Sequence, residues 1–294
     1  MYCFQSKKRF QFLDVVLLLL LLYAGVYIVD RITQQLHYNW NWGVLPQFLF
    51  YFDEEEGRWV ANYLMQGVFT TLRLSIWAAA IALPLGLTLA LARIGRNLYA
   101  RLVALTAVEL LRNLPPLVLI FLFYFFLADQ LIPVLQLDLL VQTASPFTQK
   151  IVALVLAPPH QVSTVLAALV TLAVFESAYI AEIIRSGIQS IDRSQWEAAK
   201  ALGLTRLQSL RHVILPQAFR RILPPLAGQM ISLVKDSAIV SVISIEELTY
   251  QGTQLMASTY MTIEVWLTVA VLYFVLTFPC SWLVSRMEQR QKRL

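Results

Sequence analysis

Ionisable side chains inside apolar runs are where this chain could do chemistry. Each costs about 2.5–3.5 kcal/mol to place at a bilayer centre on insertion scales, so each needs a reason to be there. Five stand out: Glu109, Arg112, Glu176, Lys235 and Asp236. Counting along the runs puts Glu176 and the Lys235-Asp236 pair near midplane, and Glu109 and Arg112 nearer one surface. A zwitterionic solute must lose water from both of its charges at once, so its site needs opposite charges held apart. Glu176 or Asp236 could meet an ammonium, and Lys235 or Arg112 a carboxylate. The structural reading stands beside this one. Glu109 and Arg112 are three residues apart, share a helix face and can pair with each other, and pairing is the usual state of a buried ion. Glu182 and Arg185 can do the same. Lys235-Asp236 fits either a pore lining or an inter-helix pair, while Glu176 has no local partner and points to a cavity.

A second constellation is polar and lies between two very apolar segments. It reads Glu197-Ala198-Ala199, three residues, Gly203, nine residues, then Val213-Ile214-Leu215-Pro216. Ser194-x-x-Glu197 and Thr205-x-x-Gln208 both have capping-box spacing, in which a hydroxyl and a carboxyl or amide satisfy free backbone N–H groups. Gly203 between them fits a helix terminator. Two short helices with a bend follow, with Trp196, Ala199, Leu202, Leu207, Leu210 and Ile214 at roughly helical spacing. Such an element suits docking into a groove on a partner; the bland alternative for Glu197 is a capping side chain.

The elements that position these residues are membrane helices. Of the 294 residues 58% are hydrophobic and only 14% charged, with mean hydropathy +0.64, which excludes a soluble globular class. Apolar runs near spanning length fall at residues 13–29, 74–92, 114–128 (extended back to 102), 162–184, 223–245 and 265–284. The expected fold is therefore an all-α polytopic membrane protein with six transmembrane helices; the runs are continuous, without the alternation of a membrane barrel. Lys7-Lys8-Arg9 before an apolar stretch that lacks a small-x-small cleavage site reads as an uncleaved anchor helix. Trp40-Asn41-Trp42 and the aromatics at 48–52 suit an outer membrane interface. The run at 151–157 is too short to span and reads as an interfacial or re-entrant piece. Residues 1–60 form an anchor helix plus an aromatic and acidic segment, and residues 61–294 one membrane domain.

With both termini inside, 17 of the 23 basic residues fall in inside segments, and Asp53-Glu54-Glu55-Glu56 falls outside. The positive-inside rule thus sets orientation and parity, placing the 192–216 loop in the cytoplasm. The net charge of +5 belongs to that asymmetry, not to nucleic acid, and the basic C-terminus is a stop-transfer anchor at anionic lipid. Cys3 lies in the expected cytoplasmic tail and Cys280 within the last span, so no disulfide between them is expected. His37, His160 and His212 lack metal-ligand spacing. Gly86, Gly95 and Ala78-Ala79-Ala80 read as helix-packing contacts. No Gly precedes a Lys anywhere, so there is no phosphate-cradling P-loop, and no residue set suggests catalysis.

The loop at 192–216 resembles the EAA loop of ABC importer permeases, which grips the ATPase subunit. Further stretches resemble the polar amino acid subfamily: Gly67 to Leu74, Glu109 to Pro116, Ser177-Ala178-Tyr179-Ile180-Ala181-Glu182 with Arg185 and Gly187, and Leu233 to Ser237 with Val240 to Ile243. Together they cover about residues 64–286. The chain departs from the family in having Leu114-Pro115-Pro116 where a Thr-Pro pair is common, and Val213 where isoleucine is usual. The resemblance implies a five-helix permease core behind the anchor helix, in a bacterial inner membrane. It implies a multi-pass transport subunit importing polar amino acids by alternating access. The expected partners are two ATP-binding cassette ATPase subunits, a second permease chain (identical or homologous), a periplasmic solute-binding protein and the bilayer. Glu197, Ala198, Ala199, Gly203, Leu215 and Pro216 would dock the ATPase. The chain itself would bind no cofactor or metal; ATP and Mg would belong to the partner. Competing functions are an ion-coupled secondary transporter whose carboxylates carry protons, a membrane sensor or scaffold, and an ABC permease for another small solute.

Overall fold

The chain was analysed as a computed structural model describing residues 12–35, 40–55, 57–126, 130, 134 and 136–291. Lys7-Lys8-Arg9, Cys3, His37, Pro133 and the terminal Lys292-Arg293 lie outside the described residues.

Two compact units divide the chain at Trp42. In the first, α1 (Phe12–Gln35) exposes Leu17 to Leu22 on all sides, as a helix solvated by lipid would. Tyr23 and Tyr27 stack at 6.4 Å on one flank of α1.

The second unit, Gly43–Leu294, is the helical core. It opens with α2 (Leu45–Leu49) and a two-stranded antiparallel hairpin, β1 (Phe50–Asp53) with β2 (Arg58–Ala61), in which Tyr51 pairs with Val60. Phe50 to Phe52, part of the aromatic stretch expected at a membrane interface, are therefore strand, a small departure from an all-α chain. Asn62 ends the hairpin and starts α3 (Tyr63–Ile94): its side chain accepts from Tyr63 N at 2.9 Å and donates to Gln47 O at 2.6 Å. After α3 come α4 (Leu98–Asn113), α5 (Pro116–Phe126), α6 (Leu137–Gln142), α7 (Pro146–Val155), α8 (Val162–Gln189), α9 (Arg193–Ala201) and α10 (Arg206–Ser209). A π turn at Leu210–Ile214 leads into α11 (Leu215–Asp236), a 3-10 stretch Ser237–Ile243, α12 (Leu248–Thr259) and α13 (Thr262–Gln291).

Among the described residues, four helical segments are long and apolar enough to cross a membrane: Tyr63–Ile94, Val162–Gln189, Arg206–Ile243 and Thr262–Arg286. The run expected as one span at 102–128 is instead a bent pair, α4 and α5, meeting at 114°. The cause is local. A residue before proline is driven to extended backbone, and Leu114, before Pro115, sits at φ −87°, ψ 143°, closing α4. Pro116 then occupies the first position of α5, where a missing N–H costs nothing.

Helix α8 is the hub, buried over most of its length, while α13 is exposed along nearly all of its apolar stretch. Close approach of α3 to α8 depends on small residues: Ala78, Ala82, Gly86 and Ala90 face Ala168, Ala173, Ala178 and Ala181, all buried. Ala80 is exposed, so only part of the alanine triplet packs. A Cβ on Gly86 would stand 2.6 Å from Ile180 Cγ2 and 2.9 Å from Ser177 O. Gly86→Val should therefore overpack a site that has backbone on one wall, destabilising by about 1–3 kcal/mol. Gly228→Ala, with open space around the new atom, should be near neutral; thermal melts of the two purified variants in detergent compare them.

Candidate functional site

The polar element at 192–216 forms as two short helices at one end of the core. Gly203 follows α9 at φ +74°, with its N–H on Lys200 O at 3.0 Å and Leu204 N–H on Ala199 O at 3.2 Å. That left-handed position is what demands glycine there. The Thr205-Gln208 capping box is complete: Gln208 N donates to Thr205 Oγ1 at 3.3 Å, and Thr205 N to Gln208 Oε1 at 2.9 Å. The Ser194-Glu197 box does not form. Helix α9 starts two residues earlier, after Asp192, so Ser194 lies inside it, and Glu197 pairs with Arg193 at 3.0 Å instead. The helical stripe read from the sequence divides in two. Trp196, Ala199, Leu210 and Ile214 turn inward onto the core, whereas Leu202 and Leu207 stand 80% and 74% exposed. Leu215 and Pro216 open α11, with Leu215 packed on the core and Pro216 exposed. Arg206 Nη2 donates to Ile94 O at 3.1 Å, tying the element to the end of α3, and Arg221 of α11, just past the element, donates to Ser190 O at the end of α8.

Just inside that end, Glu182 of α8 gathers three arginines. Arg93 of α3 reaches it at 2.7 Å, Arg112 of α4 at 3.9 Å, and Arg185 closes on it from one turn away. Arg112 also lies 5.8 Å from the Tyr179 ring, and Glu109 faces Arg93 at 3.7 Å. The expected Glu109–Arg112 pair is therefore replaced by two tertiary pairs, while the Glu182–Arg185 pair forms. Spacing made Glu109 and Arg112 neighbours, but the nearest opposite charges come from α3 and α8.

Deeper in the core, Glu176 is fully buried. Gln229 Nε2 of α11 donates to its Oε2 at 2.8 Å, and its Oε1 has no partner. The carboxyl of Asp236 lies within reach of it, at the end of α11. Lys235, beside Asp236, is exposed. Pro224-Pro225 and Gly228 do not interrupt α11, which runs unbroken from Leu215 to Asp236; membrane helices tolerate proline where neighbours re-satisfy the backbone. The discontinuity comes after Asp236, where the chain tightens into the 3-10 stretch. Among the described residues no three His, Cys, Asp or Glu side chains gather as they would around a metal ion.

Residues 82–293 match the family model described as the binding-protein-dependent transport system inner membrane component. The chain belongs to this family. The glutamine transport system permease protein GlnP of Escherichia coli K12 is 37% identical over 231 residues, 79% of this chain and 94% of that protein. The glutamate/aspartate import permease protein GltK of Escherichia coli O157:H7 is 32% identical over 228 residues, 78% and 93% of the two chains. Among solved structures, the crystal structure of an amino acid ABC transporter with histidines is similar at 34% identity and TM-score 0.61, covering 78% of this chain and 94% of that one. This chain is thus a membrane-embedded ABC importer permease, and the ion-coupled carrier and the sensor or scaffold fall away.

Sequence reasoning missed three contributors to this permease's polar core. Gln229 is neutral and carries no insertion-cost signal. Arg93 was counted only as an inside charge, yet its side chain is 8% exposed. Glu247, fully buried, caps α12 through Thr249 N at 2.9 Å and Tyr250 N at 2.8 Å, and takes the Tyr273 hydroxyl at 2.8 Å; the sequence signal was a carboxylate just before a helix start. Removing the charge of Glu182 leaves Arg93 buried without its short partner, so Glu182→Gln should lower stability by about 3 kcal/mol. Glu197→Gln, which breaks an exposed pair, should change it by less than about 1 kcal/mol. Denaturant titration of each variant in detergent distinguishes the two.

Proposed function

We propose that this permease imports polar amino acids across a bacterial inner membrane. It crosses six times: α1, the four spanning segments, and the α4–α5 pair as one broken span. Both termini lie on the docking-element side, in the cytoplasm. Two permease chains, identical or homologous, line the path, and two ATPase subunits that hold ATP and Mg dock on the 192–216 elements. A periplasmic binding protein delivers the solute. Names of the 37% and 32% identical relatives support the substrate class.

The observation that carries the substrate reading is the buried Glu176 with one unpartnered oxygen. Gln229 fixes its other oxygen, so the carboxylate is oriented and still able to accept a hydrogen bond, as an incoming ammonium would supply. Asp236 adds a second carboxyl there. Arg112 is committed to Glu182 and Tyr179, which leaves exposed Lys235 for the substrate carboxylate. At the other end, Glu197, Ala198 and Gly203 present an exposed surface beside Leu202 and Leu207, two large apolar side chains that a partner would cover.

ATP closing the ATPases would move the docking elements. Arg206 on Ile94 would pass that displacement to α3, and Arg221 of α11 on Ser190 to α8; α8 and α11 hold the Glu176 cluster, so the movement reaches it as a rigid-body switch.

Two outcomes test this reading in proteoliposomes containing the full transporter. Glu176→Gln should raise the amino acid concentration for half-maximal uptake at least tenfold while ATPase association persists. Gly203→Val forces a β-branched residue to positive φ, and should reduce copurifying ATPase and coupled hydrolysis about tenfold. Unchanged uptake in the first or an unchanged complex in the second contradicts the corresponding half.

A further inference from the structure

A cavity of about 480 Å³ opens beside the first third of α3, bounded by α7, the start of α8 and the loop at Ile245-Glu246. Its volume is in the range of small-molecule sites. Arg73 lies on its wall, 21 residues and so about 30 Å along α3 from Ile94. The cavity thus sits about one hydrocarbon thickness from the docking element.

The charge state of this cavity is unusual. Arg73 Nη1 donates to Ala153 O at 2.8 Å and Nη2 to Thr70 Oγ1 at 3.2 Å, while its buried Nε has no acceptor. Among the described residues Arg73 has no carboxylate partner. Capping the end of α7 accounts for part of this, but Trp77 does the same task without charge, donating to Val155 O at 2.8 Å. Across the same cavity Glu246 is exposed and forms no ion pair among the described residues. One cation and one anion therefore line a single small cavity, each without an ion-pair partner among the described residues.

Beneath the cavity lies an apolar layer. Leu74, Val165 and Ile245 belong both to its lining and to a buried cluster with Leu169, Leu172 and Leu233. On α8, Glu176 lies 11 residues beyond Val165, about 17 Å deeper. The two polar places are separated by a packed plug, as two stations on one path would be.

We propose that this cavity is an outer station for the transported solute: a free α-amino acid whose carboxylate meets Arg73 and whose ammonium meets Glu246, held before the plug opens toward Glu176. The proposal rests on the amino acid reading above. Its test is equilibrium binding of a 14C-labelled mixture of L-amino acids to the full-length chain in phosphatidylcholine nanodiscs. Two classes of site are expected. Glu246→Gln, at an exposed position without a folding role, should weaken one class at least tenfold and spare the other; Arg73→Gln should do the same, and Glu176→Gln the reverse. A single class that responds to Glu176→Gln and not to Glu246→Gln overturns the outer station but keeps the substrate reading. No binding by the native chain overturns both. Phosphatidylethanolamine offers a phosphate and a primary ammonium on one headgroup; if nanodiscs of that lipid abolish the Glu246-dependent class, the cavity is a headgroup site and the proposal fails.

Discussion

Everything in this permease hangs on the seam between α3 and α8. Two long helices approach closely only because small side chains line the contact, and in a membrane such packing takes the place of the hydrophobic drive that water would supply. The seam is closed at its inner end by Glu182, where Arg93, Arg112 and Arg185 converge. One carboxylate with three guanidiniums leaves a net positive charge, partly offset by Glu109 on Arg93. This knot fixes α4 against the seam as well. Helix α4 can then turn sharply at Leu114-Pro115 without losing its place.

The same seam connects the two regions proposed to be functional. Its inner ends accept hydrogen bonds from Arg206, in the proposed docking element, and from Arg221 of α11 just past it. Its middle carries Glu176, reached from α11 by Gln229. A displacement of the docking element has a short, stiff route to the cluster through helices that are continuous over that interval. The exposed Leu202 and Leu207 lie off this route, on the surface left for a partner.

What could be read from the sequence follows from how local its cause was. The Gly203 turn and the Thr205 cap depend on residues within four positions, so their spacing was sufficient. The start of α9 was misplaced because Ser194 also had capping spacing, yet Asp192 lay earlier and Arg193 competed for Glu197. Glu109 and Arg112 were paired by helical spacing, a rule that holds only when no closer partner comes from another helix. Pro224-Pro225 lies inside a continuous helix and Pro115-Pro116 follows a helix end, although both are proline pairs. The second pair ends α4 because Leu114 adopts extended backbone; the first lies within a helix that runs unbroken from Leu215 to Asp236. Glu176 stood out in the sequence because its insertion cost had no local offset. Gln229, its partner 53 positions away, had no such signature.

The central claim is that one proposed site, at Glu176, is exposed in turn to the two sides of the membrane under control of the proposed docking element. The most direct measurement places a single cysteine at Gly228, next to Gln229 and with open space for the side chain, in a chain whose Cys3 and Cys280 are replaced by serine. A membrane-impermeant thiol reagent is then applied from either side of proteoliposomes holding the complete transporter. The account predicts labelling from the docking-element side without nucleotide and from the opposite side when ATP and vanadate trap the ATPases. Labelling from the same side in both states would contradict it.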